Sequence, residues 1–238
     1  ESIDSTNAAA LKLIAEQTPT PFVVMAERQT AGRGRRGRAW ASPFGENLYY
    51  SLALRIAGGM RQIEGLSLVV GLAVLKTLRD AGVQGAGLRW PNDVLVGRRK
   101  VAGILLELVG DPADVCHVII GVGINVNMRA TSQVDQLWTS LRLETGLLVN
   151  RSFLATELSA NIDDYLAIHQ KLGFESLRGE WESSHLWQGS AVSLHAGADV
   201  IDGVVLGIDS QGALRLQVGD SEKVFSGGEL SLRLRDDT

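Results

Sequence analysis

The chain has 238 residues, 45% of them hydrophobic, with 23 Lys and Arg against 27 Asp and Glu and an isoelectric point of about 5.6. This size supports one large folded domain, or one domain with a smaller companion. The acidic balance disfavours a surface that tracks nucleic-acid phosphates, and no apolar run is long enough to span a membrane, so we expect a globular cytoplasmic protein without membrane contacts.

The first half of the chain predicts helices alternating with strands. Asp4 and Ser5 are typical of an N-cap, and the helix that follows them ends before Pro19. Phe22–Ala26 is typical of a short strand, and a second strand is indicated by the period-two pattern of Leu48, Tyr50, Leu52 and Leu54. Helical spacing over 66–78 predicts a helix closed at Gly82. The strands expected next cover 87–90, 101–108 and 115–122.

The pattern changes toward the C-terminal end of the chain. A long helix over 154–172 ends at Gly173, and from about residue 189 short apolar segments alternate with Gly-Asp, Asp-Gly and Gly-Gly pairs. These segments, at 191–195, 200–206, 213–218 and 230–234, predict a small β-barrel. Because such a small core would be marginal on its own, we expect the barrel to lean on the larger domain.

The segment Gly32-Arg33-Gly34-Arg35-Arg36-Gly37-Arg38 places four guanidinium groups among three glycines. Glycine lets the backbone approach a ligand, and arginine offers paired donors to phosphate or carboxylate, so this Gly-Arg loop predicts a phosphate-bearing small molecule. The spacing also matches the G-x-G-x-x-G dinucleotide motif, but turn residues follow the third glycine where that motif needs a helix. An arginine-rich nucleic-acid tether, disfavoured by the acidic composition, and a solvated loop without function are the other interpretations.

Several common mechanisms lack their sequence motifs. Cys116 lies in an apolar run and is interpreted as a small buried hydrophobic residue. The four histidines are scattered, without H-E-x-x-H or Cys-x-x-Cys, which argues against a zinc site. Neither G-x-S-x-G nor the Walker motif occurs, so a serine hydrolase and a P-loop nucleotide site are disfavoured.

The tetrapeptide Trp90-Pro91-Asn92-Asp93 follows an expected strand, where Pro91 keeps the polar side chains out of a helix. It is either an ordinary turn or a site in which Asp93 helps to hold Mg²⁺ against nucleotide phosphates and Asn92 orients a neighbour. Lys100, at the start of the next strand, is either solvated or a ligand-binding cation.

Glycines inside two apolar strands indicate that something approaches the sheet closely. Gly103 lies in one strand, and Gly121 and Gly123 lie in the next. A glycine weakens a strand unless another backbone or a ligand packs there. The two strands therefore predict a slot for an apolar part of the ligand.

Together these motifs resemble one family, the biotin protein ligases of the bacterial biotin operon repressor group. The resemblance follows the family's order and covers nearly the whole chain. Lipoate ligases share the catalytic fold but lack the full Gly-Arg loop, so a lipoate or octanoate protein ligase is the alternative. The segments that carry the resemblance are Ser5-Thr6-Asn7, Gln29 with the Gly-Arg loop, Trp40, Ser42-Pro43, Asn47-Leu48-Tyr49, Trp90-Pro91-Asn92-Asp93, Lys100-Val101-Ala102-Gly103-Ile104-Leu105, Gly121-Val122-Gly123-Ile124-Asn125 and Gly227-Gly228-Glu229-Leu230-Ser231-Leu232-Arg233.

The resemblance implies an α+β catalytic domain over 1–186, with a mixed β-sheet flanked by helices as in class II synthetases and biotin-lipoate ligases. It implies a small C-terminal SH3-like β-barrel over 187–238. The implied enzyme is a ligase that makes biotinyl-5′-AMP from biotin and MgATP and then transfers biotin to a lysine of the biotin carboxyl carrier protein of acetyl-CoA carboxylase. No tightly bound organic cofactor is expected.

The resemblance also implies roles for individual residues. Lys100, Arg35 and Asp93 are the expected catalytic residues, with Lys100 touching the biotin carboxyl and the α-phosphate and Asp93 holding Mg²⁺. Trp40 is expected to stack on adenine. The expected biotin contacts are Ser5, Thr6, Asn7, Gln29, Gly32, Arg33, Gly34, Arg35, Lys100, Gly103, Ile104, Leu105 and Gly121. The expected ATP and adenylate contacts are Arg33, Arg35, Arg36, Arg38, Trp40, Asn92, Lys100 and Asn125.

Two further expectations concern partners. The repressor-type members carry an N-terminal winged-helix DNA-binding domain, whereas this sequence begins at Glu1 within the catalytic region. DNA binding and transcriptional repression are therefore expected only if an upstream domain is missing from this chain. We also expect a homodimer that strengthens when the adenylate binds.

Overall fold

The computed structural model of the protein describes residues 1–57, 62–111, 113, 115–227 and 230–235. Its main elements are a six-stranded sheet and a five-stranded sheet with helices around the first. The helices are α1 (Thr6–Ala15), α2 (Leu66–Asp80), α3 (Leu141–Thr145), α4 (Arg151–Leu172) and α5 (Glu175–Ser184). The strands are β1 (Ser2–Ile3), β2 (Phe22–Ala26), β3 (Arg28–Gln29), β4 (Leu48–Ala57), β5 (Ala86–Arg89), β6 (Asp93–Val96), β7 (Arg99–Gly110), β8 (Val115–Ile124), β9 (Ala191–Ala196), β10 (Asp199–Ile208), β11 (Leu214–Val218), β12 (Ser221–Phe225) and β13 (Leu230–Leu234).

The larger sheet has the strand order β2-β4-β8-β7-β6-β5, and every neighbouring pair in it is antiparallel. Strands β5 to β8 follow one another through short connections, which favour antiparallel pairing. Parallel ladder pairing joins β1 to β3 in a separate small sheet. The predicted α+β class is confirmed. The larger sheet is antiparallel throughout its described strands, and the parallel pair of strands forms the small separate sheet.

One face of the larger sheet is apolar and packs against α2 and α4. Leu48 and Tyr50 of β4 are buried there, as the period-two pattern predicts, together with Ile120 and Val122 of β8. Helix α2 is buried along nearly its whole length, since it lies between the sheet and α4. The opposite face of the sheet, crossed by α1, is left for smaller and more polar side chains.

Most of the missed elements are short. The sequence patterns do not predict the pair β1 and β3, helices α3 and α5, or strands β6 and β12. Asp93 is the first residue of β6 rather than part of the turn before it. A strand of four residues directly after a proline turn carries too little periodicity to be recognised.

The five C-terminal strands form a sheet with the order β12-β11-β10-β9-β13. Its edge strands β12 and β13 are not hydrogen-bonded to each other in the described part of the chain, so the predicted barrel is not closed. The sheet packs on the larger domain, and its apolar side chains belong to the same buried cluster. Trp90 Nε1 donates to the Gly212 carbonyl at 3.1 Å, and the Ile208 amide donates to Glu182 Oε1 at 2.9 Å. The packing of the C-terminal sheet on the larger domain therefore buries apolar surface that an open sheet would otherwise expose to solvent.

Among the helices that the structure describes, none combines the length and apolar character needed to cross a bilayer. Gly228 and Glu229, which belong to the C-terminal part of the family resemblance, lie outside the described residues.

Candidate functional site

A cavity of about 910 Å³ opens on the polar face of the larger sheet. It is lined by the start of α1, the Gly-Arg loop, the turn before β6, strands β7 and β8, residues 133–138 and strand β13. The residues predicted for the biotin, adenylate and metal sites line this cavity, with the exception of Gly32. The structure therefore brings together side chains that are separated by up to 120 positions in the sequence.

The cavity lies over one face of strands β4, β8 and β7, which we call the cleft face, and this face carries three cross-strand rows of residues. Residues in register across antiparallel strands point to the same side, and every second residue of a strand shares that side. The rows are Tyr49-Gly123-Gly103, Ser51-Gly121-Leu105 and Ala53-Ile119-Glu107.

Side chains of the protein itself lie directly on the glycines of β7 and β8, and the slot for an apolar part of the ligand stays a prediction. A Cβ at Gly121 would overlap the Asn7 amide, and one at Gly123 would lie 2.5 Å from the Trp40 ring. At Gly103 a Cβ would lie 3.0 Å from the Lys100 side chain. The glycines thus allow α1 and the segment after the Gly-Arg loop to approach the sheet.

A buried hydrogen-bond network links α1 to the sheet and to β3. The Thr6 amide donates to Gln29 Oε1 at 2.9 Å, and Ser51 Oγ lies 2.7 Å from Thr6 Oγ1 and 2.6 Å from Asn7 Oδ1. Asn7 Nδ2 donates to Glu107 Oε2 at 2.7 Å. Ser51 and Glu107 were missed by sequence reasoning, because a single polar residue within an apolar strand has no motif of its own.

Ser5 and Gly32 act through the backbone. Ser5 is the N-cap residue of α1, and its amide donates to Asp4 Oδ1 at 2.7 Å. A Cβ at Gly32 would lie 2.8 Å from both Gln29 Nε2 and Ser42 Oγ, so the glycine leaves room for the Gln29 amide. Gly32 therefore makes room for the Gln29 side chain, and it does not itself line the cavity.

Asp93 and Lys100 form the charged centre of the site. Lys100 Nζ lies 2.6 Å from Asp93 Oδ1, and Arg89 contacts the other carboxylate oxygen. Burial acts to raise the pKa of Asp93, but Lys100 and Arg89 overcome it and hold that pKa below its usual value. The carboxylate is therefore ionised and fixes both cations.

The metal role of Asp93 stays a prediction, and this geometry does not favour it. Both carboxylate oxygens already face cations. Within the described residues, no three acidic, histidine or cysteine side chains gather to hold an ion. These residues do not make a resident metal site, and a divalent ion would have to enter on the phosphates of a nucleotide.

The Gly-Arg loop lies between β3 and β4 and is attached to the sheet through two arginines. Arg35 Nη1 donates to Asn92 Oδ1 at 3.2 Å, and Asn92 in turn donates to the Ile104 carbonyl at 2.7 Å. Arg33 Nη2 lies 3.2 Å from Glu107 Oε1. Burial lowers the pKa of Arg35 from its ordinary value, an effect opposed by Asp93 and reinforced by Arg36. A bound anion would stabilise the Arg35 charge and so offset the cost of its burial.

Asn125 holds a segment that sequence reasoning missed. Its side-chain nitrogen Nδ2 donates to the Thr139 carbonyl at 3.0 Å, and the backbone N–H of Lys100 donates to the Leu137 carbonyl at 3.0 Å. These bonds place residues 133–138 along the cavity wall, although no motif marks them. The Asn125 side-chain nitrogen is thus used structurally, and its predicted contact with the adenylate stays a prediction.

Trp40 lies against the charged centre, with its ring centroid 5.2 Å from Lys100 Nζ. Its indole nitrogen is buried and has no hydrogen-bond partner in the described part of the structure. In this arrangement the ring covers Gly123 and Gly103 of the cleft face. Stacking on adenine stays a prediction.

The C-terminal sheet supplies part of the cavity wall, which sequence reasoning also missed. Residues 230–234 of β13 line the cavity beside Trp187. The Trp187 ring lies 5.4 Å from the Arg89 guanidinium carbon, which links this wall to the charged centre.

Comparison with known proteins places these features in a family. Residues 1–125 match the Biotin/lipoate A/B protein ligase family, and residues 189–233 match the Biotin protein ligase C terminal domain. The first match covers just over half of the chain and includes the Gly-Arg loop, Lys100 and the glycine strands.

Individual relatives align over nearly the whole chain. The bifunctional ligase/repressor BirA of Escherichia coli is 40% identical over 233 residues, which are 97% of this chain and 72% of that protein. The biotin–[acetyl-CoA-carboxylase] ligase of Paracoccus denitrificans is 37% identical over 242 residues, covering 94% of this chain and 98% of the relative. The structure of the Aquifex aeolicus biotin protein ligase in complex with biotin and ATP superposes with a TM-score of 0.85, at 31% identity, over 99% of this chain and 97% of that chain.

Proposed function

This chain belongs to the biotin/lipoate A/B protein ligase family, and from that premise we propose its reaction. It is a biotin protein ligase, an ATP-dependent enzyme that joins biotin to a lysine of an acceptor protein. The observation that carries this function is the single cavity that combines the Gly-Arg loop, the Lys100-Asp93 pair and the polar network of Thr6, Asn7 and Gln29.

In the first step a carboxylate oxygen of biotin attacks the α-phosphorus of ATP, and pyrophosphate leaves with the broken phosphoanhydride bond. Two anions must approach each other for this attack. Lys100, held by Asp93 at 2.6 Å, and Arg35, held by Asn92, are the fixed cations that offset the repulsion. Magnesium enters as part of the MgATP substrate, and Arg36 and Arg38 add positive charge at the cavity mouth.

In the second step the ε-amine of the acceptor lysine attacks the carbonyl carbon of biotinyl-5′-AMP, and AMP leaves. The amide bond to biotin forms as the mixed anhydride bond breaks, and the lysine loses a proton. We propose that the acceptor is the biotin carboxyl carrier protein of acetyl-CoA carboxylase, as the name of the Paracoccus denitrificans relative suggests. We place the reaction in the cytoplasm, where ATP is produced.

The ureido ring of biotin is proposed to bind at the network around Thr6, Asn7 and Gln29. This ring carries both N–H donors and a carbonyl acceptor, so it needs neutral partners of both kinds in an enclosed place. Thr6 and Asn7 are each 4% exposed, and the Asn7 amide lies directly on Gly121.

The function is tested by exchange of labelled pyrophosphate into ATP. We expect exchange that requires both biotin and Mg²⁺, because the first step is reversible and the cavity supplies the cations but no metal site. Lipoate and octanoate run in parallel serve as matched substrates. Exchange with lipoate and none with biotin would contradict the assignment.

Self-association is a second proposal for this chain. Strand β2 is one edge of the larger sheet, and it exposes Val23 and Met25 by 42% and 55%. We expect sedimentation velocity to show a weak homodimer for the free protein and a stronger one with biotinyl-AMP. A monomer in both conditions would refute this expectation.

A repressor role, which the name of the Escherichia coli relative includes, stays a prediction tied to an upstream winged-helix domain. The test is a gel shift with a biotin operon operator and the 238-residue chain. If this chain alone binds the DNA, an upstream winged-helix domain is not required for binding.

A further inference from the structure

We propose that Glu107 is a positioning residue for biotin, because its carboxylate fixes the orientation of the Asn7 amide and anchors Arg33 of the Gly-Arg loop. This inference rests on the proposed function. Glu107 lies on β7, on the cleft face, in register with Ile119 of β8 and two residues beyond Leu105. It lies inside the part of the chain that matches the family but outside the short motifs named above, and it does not line the cavity.

The orientation of Asn7 follows from the chemistry of its two neighbours. Asn7 Nδ2 lies 2.7 Å from Glu107 Oε2 and, at a longer 3.5 Å, donates to the Leu105 carbonyl, while Asn7 Oδ1 lies 2.6 Å from Ser51 Oγ. An ionised carboxylate can only accept hydrogen bonds, so the amide nitrogen must face Glu107 and the amide oxygen must face Ser51. Since Asn7 is only 4% exposed, the reversed amide would bury a carbonyl against a carboxylate.

The orientation of Asn7 determines the polarity of the network around it. With the Asn7 oxygen facing Ser51, the serine hydroxyl proton can go to Asn7 rather than to Thr6, while the Thr6 hydroxyl donates to Gln29 Oε1 at 3.1 Å. If Asn7 were free to turn over, Ser51 would become an acceptor from Asn7 and would donate elsewhere. A ligand that reads donors and acceptors at this place therefore depends on Glu107, even without touching it.

The same carboxylate holds the start of the Gly-Arg loop. Arg33 Nη2 lies 3.2 Å from Glu107 Oε1 and 3.4 Å from Oε2. The Arg33 side chain is 47% exposed, so the ion pair alone contributes little to stability. Its consequence is geometric, because it attaches the loop to the strand residue that also orients Asn7.

The test compares Glu107→Ala and Glu107→Gln in the biotin-dependent exchange assay. Glu107→Ala removes the nearer and charged acceptor for Asn7 and leaves only the Leu105 carbonyl at 3.5 Å, so we expect the KM for biotin to rise about tenfold, the size of one hydrogen bond to a charged group. The kcat should stay within about twofold, since Glu107 touches neither reacting group. Glu107→Gln keeps an oxygen of the same shape and should recover much of the biotin affinity.

The matched control is Glu222→Ala on β12. Glu222 is also a strand glutamate paired with an arginine, with Arg215 Nε at 2.7 Å, but it lies outside the cavity lining. It should leave the biotin KM unchanged. A purely structural role for Glu107 would instead lower kcat and the melting temperature together without a selective change in the biotin KM, and that result overturns the inference.

A second pair of variants covers the case in which Glu107→Ala does not fold. Asn7→Asp sets a carboxylate against Glu107 and should raise the biotin KM, and adding Glu107→Gln should restore a donor and lower the KM again. Absence of this rescue, or a biotin KM within twofold of wild type in Glu107→Ala, overturns the inference alone. Absence of biotin-dependent exchange in the wild-type protein would instead overturn the proposed function, and this inference with it.

Discussion

Lys100→Ala is expected to lower the rate of biotinyl-AMP formation by roughly 10²-fold or more while the protein stays folded. Lys100 is held on β7 with its ammonium 2.6 Å from Asp93, and its side chain is 14% exposed. A cation fixed in this way needs no reorganisation when charge develops on the transferring phosphate. Loss of such a group commonly removes a few kcal/mol of transition-state stabilisation, which is the source of the expected factor.

The measurement is the pyrophosphate exchange rate, with the melting temperature recorded beside it. Lys76→Ala is the matched control, because Lys76 also pairs with an aspartate at 2.6 Å but lies on the outer surface of α2. Since Lys100→Ala leaves Asp93 with Arg89 as its remaining cation, Lys100→Met combined with Asp93→Asn separates lost catalysis from buried charge. A folded Lys100→Ala protein with near-normal exchange would remove Lys100 from the catalytic residues.

Arg35→Gly is expected to release biotinyl-AMP into solution at least about tenfold faster than the wild-type protein. Arg35 attaches the Gly-Arg loop to Asn92, which is itself bonded to β7 through Ile104. Loss of one charge-assisted hydrogen bond is worth about 1.5 to 3 kcal/mol, and the added glycine raises the cost of ordering the loop. The loop should then close poorly over the mixed anhydride.

The measurements are free biotinyl-AMP after rapid filtration and biotin attached to lysines of a bystander protein. Arg35→Lys keeps the charge without the forked donors and should lie between wild type and Arg35→Gly. Arg215→Gly removes an arginine with an equally fixed partner, Glu222, outside the cavity lining. Unchanged retention of the adenylate in Arg35→Gly, together with a Gly-Arg loop already protected from hydrogen exchange in the free protein, would rule out a lid.

The sequence predicted the larger elements because their periodicity is long. The helix expected over 66–78 is α2, and the one over 154–172 lies within α4, since both bury a regular apolar stripe. Helix α5 was missed because its ten residues are mostly polar and bury few side chains, among them Leu177 and Trp181. The open C-terminal sheet could not be distinguished from a barrel, because closure depends on how the two edge strands meet and on what covers them.

The candidate site was predictable where several polar or glycine residues are adjacent in sequence. The Gly-Arg loop and the turn Trp90-Pro91-Asn92-Asp93 are of this kind, and both line the cavity. Single residues supplied by strands were not predictable. Ser51 is 44 positions from Asn7 and Glu107 is 100 positions from it, so strand register and the packing of α1 on the sheet bring the three together. The structural contacts of Gly32, Asn125 and Asp93 were not predictable for the same reason, because backbone approach and ion pairing depend on neighbours that are distant in the sequence.

The wall that β13 contributes to the cavity constrains how such a protein can be recombined. An exchange that joins the first sheet of one family member to the second sheet of another would transplant part of the substrate chamber, not a neutral appendage. The Trp90 bond to the Gly212 carbonyl and the Arg89-Trp187 contact would have to survive the junction. The two sheets are therefore expected to be inherited as one unit, and chimaeras are expected to fail at the chamber before they fail at folding.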